Sequence, residues 1–215
     1  MFPILWPLIF LFLFVPLLLL SFFLNLAVFS FAKLGLSPFG ALALLLASLI
    51  GSLINLPVYR QRVYHDFPWR TPFFFFFYYP PQVNYKVICI NVGGAVIPVL
   101  FSLYLLSTRA PLIPTFLATM IVAAVCKALA QVVPGMGIAL PTFIPPVVAA
   151  LSALLVAPHN PSPVAYVAGA LGTLLGADLL NLGAIRRLPA QVVSIGGAGV
   201  FDGIFLVALV AALLS

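Results

Sequence analysis

The chain has 215 residues, of which 65% are hydrophobic and only 6% charged, with nine Lys and Arg against three Asp and Glu. So little charge cannot solvate the surface of a water-soluble fold, and most of the chain must face lipid or other protein. The formal net charge of +6 then points to lipid headgroups and membrane orientation rather than nucleic acid, because the basic residues fall at the ends of apolar runs.

A membrane-spanning helix needs about 20 apolar residues. On that measure the sequence predicts an all-α, polytopic transmembrane helix bundle of about seven spans, a single integral membrane domain over 1–215. The first run, 3–30, is nearly all Phe and Leu, interrupted by Asn25, and is expected at the periphery of the bundle. It has no basic region ahead of it and no small-residue cleavage site, which suits a retained helix rather than a cleaved signal. The core bundle is expected over 38–214. Pro38 opens the second helix, where its missing N–H costs nothing, and that span is expected to reach Leu56, with Gly51, Ser52 and Asn55 near its end.

Residues 57–86 are expected to form a cytoplasmic, interfacial connection. They hold Arg60, Arg62, His65, Asp66 and Arg70, then Trp69, the run Phe73 to Phe77, Tyr78 and Tyr79. The aromatic run is too short to span and suits the headgroup belt. His65 and Asp66 are adjacent without any further ligand pattern, so no metal and no cofactor is expected there.

The third span is expected over 87–107, carrying Asn91, Gly93, Gly94 and Pro98, and the fourth over 112–130, carrying Lys127. Residues 131–146 hold four prolines and two glycines. They cannot be one continuous helix, and read either as a discontinuous, re-entrant element or as an interfacial loop. A fifth span ends near Ala157, a sixth covers 164–182 and a seventh 198–214. Cys89 and Cys126 lack metal-ligand spacing and read as small core residues. The basic residues sort to two sides, with Arg60, Arg62, Arg70, Lys86, Lys127, Arg186 and Arg187 on one and Lys33 and Arg109 on the other. The positive-inside rule places the larger group in the cytoplasm, giving a cell-membrane protein with a cytoplasmic N-terminus and an external C-terminus.

A faint internal repeat runs through this pattern. SLIGSLINL, starting at Ser48, matches TLLGADLLNL, starting at Thr173, with one extra residue in the second copy. NVGGAV, starting at Asn91, matches SIGGAGV, starting at Ser194. Repeated pairs of broken helices occur in transporters, where substrate binds between the repeats.

The chemistry gathers in the second copy. Asp178 and Asp202 are two of the three acidic residues, and a carboxylate in hydrocarbon is expensive enough to mark a functional position. Gly169, Gly172 and Gly176 recur at helical spacing and predict a face that packs closely on a neighbour. Asp178 is two positions beyond Gly176, about 200° around the helix, and so points elsewhere, with Asn181 on its side. Asp202 follows Gly196, Gly197 and Gly199 near a helix start, where the dipole favours an anion. Two carboxylates in a poorly solvated cleft share a proton, which is what aspartic hydrolysis uses. The same pair could instead bind and release a proton or cation, or each aspartate could hydrogen-bond local backbone in a structural role. Gly176, Gly199 and Gly203 would let substrate backbone approach, Pro141 would border the cleft, and Asn55, Asn91 and Asn181 are candidate polar neighbours for substrate or ion.

The segments PGMGIALPTFIPP, GADLLNL and SIGGAGVFDGIFL resemble an uncharacterised family of prokaryotic multi-pass membrane proteins, known only as a domain of unknown function. The resemblance runs from about Gly51 to the C-terminus and implies a membrane protein without an assigned activity. A looser likeness is to the intramembrane aspartyl proteases of presenilin and prepilin-peptidase type, which carry aspartates on two helices near the cytoplasmic side, one of them in Gly-x-Gly-Asp. Here Gly176, Ala177 and Asp178 form Gly-x-Asp, Gly199 precedes Asp202 by three positions, and Leu140, Pro141 and Thr142 stand nearest to the Pro-Ala-Leu of presenilins. The leading expectation is an aspartyl-protease-like hydrolase acting on membrane peptides. The alternatives are a proton- or cation-coupled transporter or channel for ions or small solutes, and a structural membrane protein. Membrane lipids are the expected partners in every case.

Overall fold

The structure is a computed structural model and describes residues 5–64, 83–133, 137–187, 192–197, 207, 210, 211, 213 and 214. The first helix, α1 (Leu5–Lys33), exposes Phe10 through Leu20 almost without interruption and buries only its inner end, at Ala27, Ser30 and Phe31. Its buried hydroxyl is satisfied locally, Ser30 donating to the Leu26 carbonyl at 2.7 Å. The chain turns at Gly35, whose φ of +94° no residue with a Cβ adopts readily. Helix α2 (Pro38–Gly51) starts as its sequence dictates, with Pro38 in the first turn and the Ser37 hydroxyl accepting from the Gly40 N–H at 3.1 Å.

After α2 the bundle is interrupted by strands. β1 (Asn55–Tyr64) pairs antiparallel with β2 (Val83–Asn91), from Asn55 opposite Asn91 to Tyr64 opposite Val83, with an irregularity between Pro57 and Tyr59. A π turn (Val92–Val96) leads into α3 (Ile97–Thr108), followed by α4 (Leu112–Leu129). A small hairpin, β3 (Gln131–Val133) with β4 (Gly137–Ala139), precedes α5 (Ile144–Val156). Helix α6 (Pro161–Thr173) passes through a π turn (Leu174–Asp178) and a 3-10 turn (Leu179–Asn181) into the short α7 (Leu182–Arg187). Strand β5 (Val192–Ile195) then joins β2 in parallel, giving the sheet order β1-β2-β5.

The all-α expectation is therefore corrected to a mainly helical fold with a small mixed sheet. The end of the predicted second span and the start of the third are strands. The run Val87 to Ile90 is apolar but short, and a short apolar run has no periodicity that separates a buried strand from a helix. Among the described residues three helical stretches, Phe10–Lys33, Leu112–Leu129 and Pro161–Arg186, are long and apolar enough to cross a membrane. Three more, Pro38–Gly51, Val92–Thr108 and Ile144–Val156, are apolar but shorter. The connection expected over 57–86 is, where described, the arms of the β1–β2 hairpin. His65, Asp66, Trp69 and the Phe–Tyr run lie outside the described residues. So do the middle of the 131–146 segment and most of the predicted seventh span.

Helix α6 is the centre of the fold, with every residue from Pro161 to Ala170 buried. A helix apolar on all sides belongs inside a bundle, and its alanines and glycines let α4 and α5 approach. Tyr166 anchors it, with ring centroids 5.0 Å from Phe101 of α3 and 6.1 Å from Phe31 of α1, all edge-on. Edge-to-face aromatic pairs of this kind add about 0.5–1.5 kcal/mol beyond their buried area.

Candidate functional site

The glycine face of α6 packs as its spacing predicts. A Cβ on Gly172 would meet Val122 at 2.7 Å, and one on Gly176 would collide with the Ala123 carbonyl and meet Cys126 at 2.8 Å, both on α4. Gly169 instead faces Val207, 2.6 Å from a built Cβ. Immediately past this contact the helix loses α geometry. The Leu174–Asp178 turn is π, a form that accommodates one additional residue and is frequent at functional positions. The one extra residue in the second copy of the sequence repeat falls in this turn, at Ala177 or Asp178.

A broken helix inside an apolar bundle frees carbonyls that need donors. Two side chains supply them. Asn181 donates its amide to the carbonyls of Gly176 and Ala177, at 3.1 and 2.9 Å, and Lys127 of α4 donates to the Leu180 carbonyl at 2.8 Å and to the Asn181 amide oxygen. Lys86 of β2 does the same for the end of α7, donating to the carbonyls of Ile185 and Arg186, both at 2.7 Å. A cation there also meets the negative end of the helix dipole. Lys86 is only 3% exposed, and burial holds its pKa below the ordinary lysine value. Replacing Lys127 with Met should cost about 0.5–1.5 kcal/mol, because it removes the exposed bond to the Leu180 carbonyl while keeping the apolar stem. Chemical denaturation of the purified variant in detergent checks this, with an unchanged midpoint speaking against it.

Asp178 turns the other way, toward the sheet. Its carboxylate accepts from the Gly196 N–H at 2.8 Å. Gly196 follows β5 directly and has φ +68°, so the tie depends on a conformation that favours glycine. The Gly93–Gly94 and Gly196–Gly197 pairs follow the parallel strands β2 and β5, and they meet: a Cβ on Gly94 would overlap the Gly196 carbonyl oxygen. In the first copy, Gly93 lies against the end of α2, where a Cβ would overlap the Ser48 carbonyl. The end of α2 thus packs onto Gly93 through its backbone, whereas the broken helix reaches Gly196 through the Asp178 carboxylate.

A polar seam crosses the same end of the sheet. The Asn91 amide oxygen accepts from the Gly94 N–H at 2.7 Å, and its nitrogen donates to the Ser52 carbonyl at 2.7 Å and to the Asn55 amide oxygen at 3.1 Å. The Ser194 hydroxyl of β5 donates to the same Asn55 oxygen. The structure therefore brings Asn55 and Asn91 together and links them through Ser194 and Gly196 to Asp178. Asn181 is turned instead to Lys127, because the π and 3-10 turns replace the regular helix that would have kept it beside Asp178. Gly176 is committed to α4. Pro141 is exposed ahead of α5, its carbonyl accepting from the Ile144 N–H at 3.1 Å. Asp202, Gly199 and Gly203 lie outside the described residues. Among the described residues no group of three His, Cys, Asp or Glu side chains is placed to hold a metal ion.

Ser194, Gly196 and the capping roles of Lys86 and Lys127 were not expected. The repeat carried a signal for the first two, since Ser194 and Gly196 occupy the positions of Asn91 and Gly93. Nothing in the sequence distinguishes a lysine that caps a broken helix from one that faces headgroups.

A family model described as a protein of unknown function (DUF1614) matches residues 49–214. No curated protein and no solved structure matches the chain.

Proposed function

The chain belongs to the DUF1614 family, a membership that brings no activity with it, and from the geometry we propose an intramembrane aspartyl hydrolase that cleaves extended membrane peptides with Asp178 and Asp202. The observation that carries this reading is the tie between the Asp178 carboxylate and the Gly196 N–H at the end of β5. It sets a carboxylate beside a strand whose outer edge pairs with no other described strand. An extended peptide can hydrogen-bond to such an edge, whereas a helical one hides its carbonyls. Six residues past Gly196 the chain reaches Asp202, which puts both aspartates within the sequence reach of one strand end. The partial Gly-x-Asp likeness to intramembrane aspartyl proteases belongs to the same reading.

In the reaction, one ionised carboxylate takes a proton from water as the oxygen attacks the peptide carbonyl carbon. The other, protonated, donates to the carbonyl oxygen as the tetrahedral intermediate forms. Collapse breaks the C–N bond: the leaving nitrogen takes the proton from the first carboxyl group, while the second, now ionised, takes one back from a hydroxyl of the intermediate, restoring the starting pair. The ends of the hairpin, with Arg60, Arg62 and Arg186, lie in the cytoplasm on this reading, following the positive-inside rule, with the N-terminus cytoplasmic and the C-terminus external.

Proton or cation transport is the second reading, favoured by the broken helix at Asp178 and the Asn55–Asn91 seam beside it. One preparation separates the two. Protein reconstituted in liposomes with membrane peptides containing helix-breaking residues should yield discrete cleavage products by mass spectrometry, with incubations at several pH values because the shared proton titrates as a property of the pair. Absence of cleavage, together with proton or sodium flux that Asp178→Asn abolishes, would replace hydrolysis by transport.

A further inference from the structure

We infer that the β1–β2 hairpin and the end of α7 form a binding surface for anionic phospholipid headgroups. Three exposed guanidinium groups carry it. Arg60 lies over the Tyr85 ring, 3.8 Å from its centroid, and Arg186 lies over the Tyr59 ring at 5.3 Å. Arg62 is the cross-strand partner of Tyr85, so it stands on the same face as Arg60, two residues along the strand. Tyr59 and Tyr85 are themselves 45% and 38% exposed, as tyrosines at the membrane–water boundary are.

A guanidinium stacked on a ring is held in place by its face and leaves its N–H edge free, and that edge fits two oxygens of a phosphate. No described residue answers this charge. Asp178 is the one carboxylate side chain among the described residues, and it is bonded to Gly196. The chain carries nine basic and three acidic residues, a net charge of +6, and that excess draws its counter-charge from outside the chain. The hairpin leaves the end of an apolar helix, so the phosphates at hand are those of the surrounding bilayer. Arginines on both faces of the strand pair fit a hairpin standing among headgroups. Lys86, on the buried face between them, fixes the hairpin to α7 and so joins the two arginine groups.

The test is competition between lipids. Protein purified into mixed phosphatidylglycerol and phosphatidylcholine micelles is examined by native mass spectrometry, counting the lipids retained. Phosphatidylglycerol should be retained preferentially, with the preference falling about fivefold for each of Arg60→Gln, Arg62→Gln and Arg186→Gln, and falling with added salt. Lys33→Gln, at the opposite end of the molecule, should leave it unchanged. Arg60→Lys, which keeps charge but not planarity, should retain part of it. Equal retention of the two lipids by the unaltered protein overturns the proposal, as does a preference that survives the triple glutamine variant while that variant remains folded by circular dichroism.

Discussion

Asp178→Asn should abolish peptide cleavage, by about 10²–10⁴-fold or more, while leaving the protein folded. An amide oxygen can still accept from the Gly196 N–H, so the contact that ties the broken helix to β5 survives in the variant. The amide can neither take a proton from water nor surrender one to the leaving nitrogen. Asp178→Ala should lose cleavage equally and in addition about 1–2 kcal/mol of stability, because the Gly196 N–H is left without its acceptor. Asp202→Asn should match Asp178→Asn in rate. Product analysis for the three variants, with denaturation midpoints alongside, separates the outcomes. If Asp178→Asn cleaves as fast as the unaltered protein, Asp178 is no part of a hydrolytic pair.

Gly94→Ala should be among the most damaging single substitutions in the chain. Its Cβ would overlap the Gly196 carbonyl oxygen, and a backbone atom cannot move aside as a side-chain tip can. The β2 and β5 strand ends would have to part, at about 3 kcal/mol or more. The shift would be felt at Asp178 through the Gly196 N–H, so cleavage should fall further than stability alone explains. Gly93→Ala should act similarly on the first copy, through the Ser48 carbonyl. Gly183→Ala is the contrasting case. Nothing lies within 4 Å of a Cβ built there, and alanine is the better helix former by about 1 kcal/mol, so this variant should be neutral or slightly more stable. Equal tolerance of Gly94→Ala and Gly183→Ala would show that the two strand ends are not packed as described.

Sequence reading reached the helical parts of the fold because their signals are physically local. The Pro38 start, the glycine face of α6 and the apolar lengths of α1, α4 and α6 each follow from spacing and composition. It did not reach the sheet. Val87 to Ile90 is a run of four apolar residues beside Lys86, and burial of that lysine against the α7 carbonyls is a tertiary event without a local signature. The candidate site was half legible. Rarity marked Asp178, and the repeat marked Asn55, Asn91 and the Gly-Gly pairs. The placement of Asn181 on the side of Asp178 assumed a regular helix through 174–181. The two copies also diverge in structure, since Asn55 and Leu56 open β1 whereas Asn181 and Leu182 stay helical, so the sequence match does not report the irregular turn at 174–181.

A single site built from Asp178 and Asp202 is a matter of distance, and the separation of their carboxylate oxygens in an experimental structure of the lipid-bound protein decides it. Hydrolysis with a shared proton requires them about 3 Å apart, or roughly 6 Å with one water between. Cryo-electron microscopy in nanodiscs, with the mixture of lipids that the arginine hairpin retains, would measure this. A separation within that range is the expected result. Carboxylates more than about 8 Å apart, with no bridging water, would contradict the account.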